Sequence, residues 1–453
     1  MNKAVAIIIL NYNKKDYVLQ CIESVKKSSF QNYDLYVVDN ASTDGSVEAI
    51  NDFFGREVNL IRNSENKGGS GGFNTGIREA FKKDYKYIYL LDNDVILDED
   101  ALKELYNYLE RNEDVAIAGS LIYSMDKPGE IQELGSSIDW NNFYINPNYK
   151  GFKDNGQLPE IVECDYVAAC SLLVRADAIK KAGIIDEGNF IYWDDIEWAY
   201  RMKLAGFRVV SYTRSNVWHK MGVKAKSNTF GTYYFWRNRV HFFVKYLDKD
   251  RIKEFAEKIF DEIFQAVYSC NYTGKYSSAK TIIAAVEDAC HNVRGKAPAG
   301  RIFDIELIEN KLQNIITDKK NILLIDYNDT KILRDVTNEL IKLNNDLNIT
   351  IAVKYSDINE LREQFGEYKV IKFKEAKYDE YDLVGQVCFH IFDIKNKIED
   401  RMDFYIDRFF NVVSSNEDRE YVKGFDNVYK MMKNIYYPLF LNKLLTLKGR
   451  LDS

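Results

Sequence analysis

The chain has 453 residues, of which 46% are hydrophobic and 29% charged, and its formal net charge is −7. This length suffices for two to four domains with at least one large core, and the composition is ordinary for a soluble globular protein. The acidic balance gives no reason to expect a nucleic acid as a partner.

Cysteine usage and hydropathy indicate the cellular compartment. The 6 cysteines are scattered, include no C-x-x-C pair and lie partly in apolar stretches. This pattern favours a reduced cytoplasmic protein over a disulfide framework. Met1-Asn2-Lys3 leads directly into a strand-like run, so no signal peptide is expected. No run of about 18 apolar residues predicts a transmembrane helix.

Strand-like and helix-like segments alternate through the first hundred residues. Apolar runs predict strands that end just before Asn11, Asp39, Asn63 and Asp92. The intervening segments have helical spacing, and a polar turn at residues 40–46 precedes the second of them. The regular alternation predicts an α/β fold, a doubly wound sheet with helices on both faces.

A glycine-rich run, KGGSGGFNTG, occupies residues 67–76 between the third strand and a helix predicted at residues 77–81. Glycines let the backbone approach a ligand closely and leave N–H groups free to face anionic oxygens. The run fits neither the Rossmann fingerprint nor the P-loop. Its position favours contact with an anionic ligand at Gly68, Gly69, Ser70 and Gly71, and a merely flexible loop is the alternative.

The fourth predicted strand, at residues 87–91, runs directly into Asp92-Asn93-Asp94. In an open α/β sheet, ligands gather outside the carboxyl ends of the strands. Two carboxylates at positions i and i+2 can share a hard divalent cation, which in turn holds a diphosphate. The alternative is an acidic turn before a helix, because residues 98–100 are also acidic.

Three more acids lie in the aromatic segment FIYWDDIEW at residues 190–198. Carboxylates among aromatic side chains are costly to bury unless they are paired or used. A helix that begins at Asp194 would use Asp194, Asp195 and Glu197 to complement its dipole. The functional alternative is a general base whose pKa is tuned by its partly apolar surroundings. Further along, His219 follows a strand-like run at residues 208–211. A lone histidine near a strand end is commonly structural, but given a hard metal at Asp92 and Asp94 its imidazole could complete the coordination sphere.

In this order, the motifs resemble those of inverting family 2 glycosyltransferases of the GT-A fold. The resemblance covers roughly residues 4–240 and rests on Asn11-Tyr12-Asn13, the segment VDNASTDGS, the glycine run, Asp92-Asn93-Asp94, the W-D-D segment and Trp218-His219. The glycine run and the W-D-D segment are most similar to those of bacterial galactofuranosyltransferases that polymerise galactan. Rhamnosyltransferases of surface polysaccharides share much of the pattern. Asn93 departs from the three consecutive acids of the galactan polymerases, which weakens the assignment to that branch.

The resemblance implies a GT-A-like mixed sheet with a Rossmann-like nucleotide-binding half, and it implies roles for individual residues. Donor binding falls to Asn11, Asp39, Asp92, Asn93 and the glycine run, and Arg237 could help to hold the diphosphate. Asp92, Asp94 and His219 would bind Mn²⁺ or Mg²⁺. Asp195 matches the catalytic base, and Asp194 would assist it. Trp193 and Glu197 would bind the acceptor.

The implied activity is metal-dependent inverting transfer of a sugar from a nucleotide-sugar donor onto a glycan or lipid-linked acceptor, in bacterial cell-surface polysaccharide synthesis. UDP-galactofuranose is slightly preferred as donor over dTDP-rhamnose. A sugar nucleotidyltransferase should instead carry a G-x-G-T-R-like loop where this chain has Asn11-Tyr12-Asn13. The other alternative is a non-catalytic subunit of a polysaccharide assembly complex, and the retained acids count against it.

The sequence predicts four regions: a catalytic domain at residues 1–245, a helical region at 246–318, a small α/β domain at 319–395, and C-terminal helices at 396–453. The small domain has no glycine loop after its first strand, so we expect no nucleotide site there. Acceptor binding, dimerisation to a homo-oligomer and a purely structural role stay open for it.

The segment of residues 427–450 carries five bases, no acid and many apolar residues. Such a segment is typical of peripheral contact with an anionic membrane, here the inner face of the cell membrane. The alternative is packing on the protein. Pro438 predicts two short helices in preference to one continuous helix. The aromatic and basic segment at residues 233–246 is expected to pack on the catalytic domain.

Overall fold

The structure is a computed structural model that describes residues 3–220 and 227–453. The chain forms two compact units, each built on a sheet. The first unit comprises Met1–Ile259, Thr281–Asp304 and Leu441–Ser453, and the second comprises Phe260–Lys280 and Ile305–Phe440.

The first unit is built on a mixed sheet of ten strands. Its order is β10-β12-β6-β11-β4-β1-β2-β3, with β5 paired to β12 and β7 paired to β6, while β8 and β9 form a separate hairpin. The strands are β1 Val5–Asn11, β2 Tyr33–Asp39, β3 Asn59–Arg62, β4 Tyr87–Asp92, β5 Val95–Leu97, β6 Val115–Ser124, β7 Ile131–Glu133, β8 Ser136–Asp139, β9 Tyr144–Pro147, β10 Ile161–Cys164, β11 Ser171–Arg175 and β12 Arg208–His219.

Helices cover both faces of this sheet, as the alternation of segments predicted. The helices up to residue 290 are α1 Lys15–Lys26, α2 Ser46–Phe54, α3 Gly68–Ala80, α4 Ala101–Arg111, α5 Ala176–Ala182, α6 Asp194–Leu204, α7 Phe230–Tyr246, α8 Ile252–Tyr272 and α9 Tyr276–Cys290. One core lies between the sheet and α1, α2 and α4, and a second lies between the opposite face and α3, α5 and α6. The strand β1 is buried on both faces, which explains its continuous apolar sequence.

The glycine-rich run is helical, which corrects the expectation of a loop before a helix at residues 77–81. It forms the first turns of α3, and its glycines allow that helix to lie close to β1. A Cβ atom at Gly72 would lie 2.4 Å from Leu10 Cδ1, and one at Gly76 would lie 2.4 Å from Ile8 Cγ2. The sequence signal of these two glycines is therefore explained by helix–sheet packing.

The second unit contains a six-stranded sheet of order β15-β14-β13-β16-β17-β18, in which only the β17–β18 pair is antiparallel. Its elements are α10 Lys311–Ile316, β13 Asn321–Ile325, α11 Thr330–Leu343, β14 Asn348–Val353, α12 Ile358–Gln364, β15 Lys369–Lys372, β16 Leu383–Cys388, β17 Phe404–Asp407 and β18 Val412–Val413. The expected second α/β unit is present. The predicted boundary at residue 395 is wrong, because β17 and β18 extend the sheet to Val413. Both strands are too short to give a periodic sequence signal.

The last element is one continuous helix, α13 Asn416–Leu451, which contains Pro438. The prediction of two short helices is therefore wrong. A proline in a helix removes the hydrogen bond to the carbonyl four residues earlier, here that of Asn434. Pro438 and Asn434 are both exposed, so water can hydrate that carbonyl. Across the described ranges, no helix combines the length and the hydropathy that crossing a bilayer requires.

Candidate active site

Strand register brings together the three predicted metal ligands. Asp92 ends β4, Asp94 follows two residues later, and His219 ends β12. Because β12 pairs antiparallel with β5, His219 lies opposite Val95, the residue after Asp94. The main-chain N–H of Lys220 also donates to the carbonyl of Asp94 at 3.1 Å. One ligand atom from each of Asp92, Asp94 and His219 lies within 4.8 Å of the others.

The charges of this cluster depend on one another. Burial and the charge of Asp94 raise the pKa of Asp92 to about 6. Burial alone would also raise the pKa of Asp94, but contacts with His219 and Lys14 lower it below its usual value. His219 Nε2 lies 3.3 Å from Asp94 Oδ1, and Lys14 Nζ contacts the other carboxylate oxygen. Burial alone would lower the pKa of His219, but Asp94 and Asp92 raise it.

The donor set fits a divalent cation. Burial, and then repulsion between the two neighbouring carboxylates, raises the pKa of Asp92, and a cation between them would stabilise both charges. Carboxylate oxygens suit Mg²⁺ and Mn²⁺, and a neutral imidazole can serve as a ligand for a transition metal. The ammonium group of Lys14 forms an ion pair with Asp94, so the negative charge of this site already attracts one cation.

Asn11, Asp39 and Asn93 form a buried network across the carboxyl edge of the sheet. Asn11 Nδ2 donates to Asp39 Oδ1 at 3.1 Å, and Asn93 Nδ2 donates to Asn11 Oδ1 at 2.7 Å. The other oxygen of Asp39 accepts the N–H of Ser42 at 3.0 Å. These bonds tie the ends of β1, β2 and β4 together. The three predicted donor-binding residues thus lie at one edge, beside Asp92.

Asp194 and Asp195 begin α6, where the predicted helix starts. Burial and, among neighbouring charges, that of Asp92 raise the pKa of Asp194 to about 6. Burial, then the charges of Asp194 and Glu133, raise the pKa of Asp195 well above 3.8. The Asp195 carboxylate accepts the N–H of Ile196 at 2.8 Å and that of Ala169 at 3.4 Å.

The loop before α6 has a strained backbone. Phe190, Tyr192 and Trp193 all have positive φ, at 65°, 61° and 65°. Such conformations are costly for aromatic residues and cluster at functional sites. The side-chain amide of Asn238 holds the loop by donating to the carbonyls of residues 189, 191 and 192 at 2.8 to 2.9 Å. Nothing in the sequence singled out Asn238.

Arg237 does not have the predicted role at a diphosphate. Its side chain is 1% exposed and makes four hydrogen bonds, to Asn238 Oδ1 and to the carbonyls of Gly188, Asn189 and Gly295. The guanidinium also lies over the ring of Tyr234 at 4.9 Å. With most of its donors used by main-chain carbonyls, Arg237 stabilises the loop before α6.

The two predicted acceptor residues are buried. Trp193 is 3% exposed and packs on Phe242, with the ring centroids 5.3 Å apart. Glu197, also 3% exposed, accepts from Lys245 Nζ at 2.8 Å, from the hydroxyl of Tyr246 at 2.6 Å and from the guanidinium of Arg201. Neither side chain is exposed to an acceptor in this structure, because α6 turns both toward α7. Tyr192, 43% exposed, is the accessible aromatic residue of this loop.

The start of α3 uses its N–H groups within the protein. The N–H of Gly68 donates to Asn66 Oδ1 at 2.8 Å, and that of Ser70 donates to the carbonyl of Phe190 at 3.2 Å. These two groups are not free for an anion, contrary to the expectation. A Cβ atom at Gly68 would lie 2.1 Å from the carbonyl oxygen of Phe190, and one at Gly69 would lie 3.4 Å from Asp194 Oδ2. The run therefore makes room for the loop that carries the acids.

Two neighbouring residues of β7, Gln132 and Glu133, belong to the site although no sequence signal marked them. They fall in residues 124–162, a range that lacks clear sequence periodicity and contains three prolines. Burial raises the pKa of Glu133, and its charge acts on Asp195. Gln132 contacts His219 Nδ1 at 2.5 Å. A three-residue strand shows no periodicity that could have identified either residue.

Comparison with known proteins finds similarity to glycosyltransferases. Residues 6–181 match the family described as Glycosyl transferase family 2. The chain is 34% identical to Glycosyltransferase GlyG of Streptococcus pneumoniae over 127 residues, which cover 27% of this chain and 41% of that protein. It is 25% identical to dTDP-rhamnosyl transferase RfbF of Shigella flexneri over 232 residues, which cover 50% of this chain and 72% of that protein.

A crystal structure of S. aureus TarS 1-349 superposes with a TM-score of 0.43 at 13% identity, covering 64% of this chain and 80% of that chain. The chain spans between 24% and 57% of the length of the first four curated relatives it matches. Residues 6–181 are thus similar to glycosyltransferase family 2, the class of transferase that the motifs indicated. The observed sheet is mixed and carries helices on both faces, which is the α/β architecture that the sequence predicted.

Proposed function

We propose that this protein is a metal-dependent inverting glycosyltransferase of bacterial cell-surface polysaccharide synthesis. The observation that carries the proposal is the placement of two acidic groups at one edge of the sheet. Asp92, Asp94 and His219 form a candidate cation site, and Asp194 lies close enough for the charge of Asp92 to raise its pKa. A binding site for a leaving diphosphate and a candidate base are the two parts that such a transfer needs.

In the proposed reaction, Asp195 is the general base and the acidic cluster at Asp92 is the metal site. Asp195 accepts the proton of the acceptor hydroxyl while that oxygen attacks the anomeric carbon from the face opposite the leaving nucleotide. A raised pKa makes Asp195 a stronger base than an ordinary aspartate. Asp194 and Glu133 supply the negative charges that raise it. Asp92, Asp94 and His219 hold the cation, which when bound neutralises the charge of the leaving diphosphate.

Two nucleotide sugars are candidate donors. The glycine run and the W-D-D segment resemble those of galactofuranosyltransferases, so UDP-galactofuranose is the first candidate donor. The similarity to a dTDP-rhamnosyl transferase supports dTDP-rhamnose as the second. In both cases the nucleotide is expected at Asp39 and Asn11, where β1 and β2 end.

A donor screen with the purified protein and Mn²⁺, scored by nucleotide release, tests the function. Inhibition by the product nucleotide identifies the nucleobase of the donor. We expect transfer from UDP-galactofuranose and stronger inhibition by UDP than by dTDP, because the product nucleotide occupies the donor site. Stronger inhibition by dTDP would replace galactofuranose by rhamnose. No release from any nucleotide sugar, with Mn²⁺ and acceptor present, would contradict the proposed function.

We further propose that α13 brings the enzyme to lipid-linked acceptors at the inner face of the membrane. Met431, Ile435 and Leu439 follow one another at intervals of four residues and are 54%, 55% and 61% exposed. They form an apolar stripe along the helix, and the segment of residues 427–450 has bases but no acid. Each base near an anionic leaflet contributes about 1 kcal/mol of attraction.

Charge substitution in this stripe should abolish membrane binding. We expect the double variant Ile435→Glu/Leu439→Glu to lose sedimentation with anionic liposomes, because it places two carboxylates in the apolar contact. Leu204→Glu/Ile283→Glu is the matched control, since these side chains are 62% and 54% exposed on other helices. Nucleotide release from a soluble donor should persist in both variants. If the α13 variant still sediments with the liposomes, this helix is not the anchor.

A further inference from the structure

Gln132 occupies a β-bulge beside the candidate metal site. In the β6–β7 pair, Ile122 lies opposite Glu133 and Tyr123 lies opposite Ile131. Gln132 is therefore the extra residue of β7, with no partner in the ladder. Bulges next to active sites re-aim a side chain. Here β6 also pairs with β12 on its other side, with Ser124 opposite His219, so the bulge brings Gln132 near His219.

The amide of Gln132 lies against the ring of His219 with one of its atoms unsatisfied. Gln132 Nε2 lies 2.5 Å from His219 Nδ1. Gln132 Oε1 is buried and has no hydrogen-bond partner. An amide that donates to Nδ1 requires the imidazole proton to be on Nε2, which faces Asp94 Oδ1 at 3.3 Å. In that tautomer the Nε2 lone pair is not free for a cation.

Turning the amide by half a rotation exchanges its oxygen and nitrogen. This gives the buried oxygen a partner and frees Nε2 of its proton. Oε1 would then accept the proton of His219 Nδ1, so the orphaned buried oxygen gains a partner. The imidazole would carry its proton on Nδ1 and present the Nε2 lone pair between Asp92 and Asp94. Histidine ligands of metals typically donate their other N–H to such an acceptor, which fixes tautomer and ring orientation.

We infer that Gln132 is a positioning residue that selects the metal-binding tautomer of His219 by presenting its amide oxygen to Nδ1–H. The inference rests on the proposed metal-dependent function, and it adds that Gln132 influences how tightly the site binds a divalent cation. With the amide oxygen toward Nδ1–H, the Nε2 lone pair of His219 is available to a cation. In this role Gln132 acts through His219 and is not itself a ligand.

Mn²⁺ affinity, measured by calorimetry on the full chain, tests this inference. Gln132→Leu should weaken binding by about 10- to 100-fold, the usual effect of removing a partner of a histidine ligand. Gln132→Glu should bind at least as tightly as the wild type, because a carboxylate can only accept from Nδ1–H. Gln157→Leu, which changes an exposed glutamine, is the matched control and should bind normally.

A spectroscopic readout distinguishes tautomer selection from packing. The chain has only 4 histidines, so ¹⁵N imidazole signals can be assigned to His219 by substitution. Without added metal, at a pH where His219 is neutral, we expect protonated Nδ1 in the wild type and in Gln132→Glu, but a tautomer mixture in Gln132→Leu. Wild-type Mn²⁺ affinity in Gln132→Leu would overturn the inference about Gln132 but not the proposed function. The same holds if Gln132→Glu binds Mn²⁺ as weakly as Gln132→Leu does. Failure of the wild type to bind Mn²⁺ would overturn the metal-dependent function as well.

Discussion

Replacing Asp195 by Asn should lower the rate of glycosyl transfer by about 100-fold or more while leaving donor and Mn²⁺ binding intact. An amide has nearly the same shape as the carboxylate and cannot accept the acceptor proton, and general-base contributions are typically about 100- to 10,000-fold. Initial rates of nucleotide release, with donor affinity measured by calorimetry, provide the test. Near-normal turnover in this variant would remove Asp195 from the role of base and make Asp194 the next candidate.

The pH profile gives this prediction a second readout. Asp195 acts as a base only when it is deprotonated, so kcat/KM should rise with pH through its raised pKa, well above 3.8. Asp194→Asn removes a negative charge that raises this pKa. In that variant the acidic limb of the profile should therefore move to lower pH. An acidic limb that stays in place would show that the charge of Asp194 does not act on the base.

Replacing Asp94 by Ala should abolish metal-dependent donor binding, with a loss of Mn²⁺ affinity greater than about 100-fold. The loss should exceed that for a partner of a ligand, because Asp94 is itself placed to bind the cation. The variant also leaves Lys14 Nζ and His219 Nε2 without their carboxylate partner.

Glu99→Ala is the matched control for the Asp94 variant, since Glu99 is an exposed acid five residues further along the chain. Calorimetric titration of Mn²⁺ and of donor into each variant measures the effect, and circular dichroism verifies folding. Unchanged Mn²⁺ affinity in Asp94→Ala would remove the metal role from the D-x-D segment.

The sequence was most informative where polar residues follow a buried strand. Asn11, Asp39 and Asp92 each end a continuous apolar run, and parallel strands place such ends at one edge of the sheet. The regular alternation of segments likewise predicted the layered fold. In both cases the pattern arises from burial on both faces, which leaves a direct trace in the sequence.

The sequence was misleading where the role of a side chain depends on which face of a helix is covered. Trp193, Glu197 and Arg237 all looked available to ligands, yet α6 and α7 pack together and bury them. Gln132 and Glu133 became visible only in the structure, because their positions depend on a bulge in a three-residue strand. The glycine run was predicted to be a ligand-binding loop, but it is the start of a helix that lies close to β1. That closeness is a tertiary contact, which the local sequence does not reveal.

The most direct test of metal-dependent inverting transfer is ¹H NMR of a single reaction that contains enzyme, Mg²⁺, the donor identified by the screen and its acceptor. The account predicts that the anomeric signal of the donor is replaced by that of a glycoside with the opposite configuration. It also predicts no reaction when EDTA is added, and a reaction at least about 100-fold slower when Asp195→Asn replaces the wild type. A product with retained configuration, or transfer that persists in EDTA, would contradict the account.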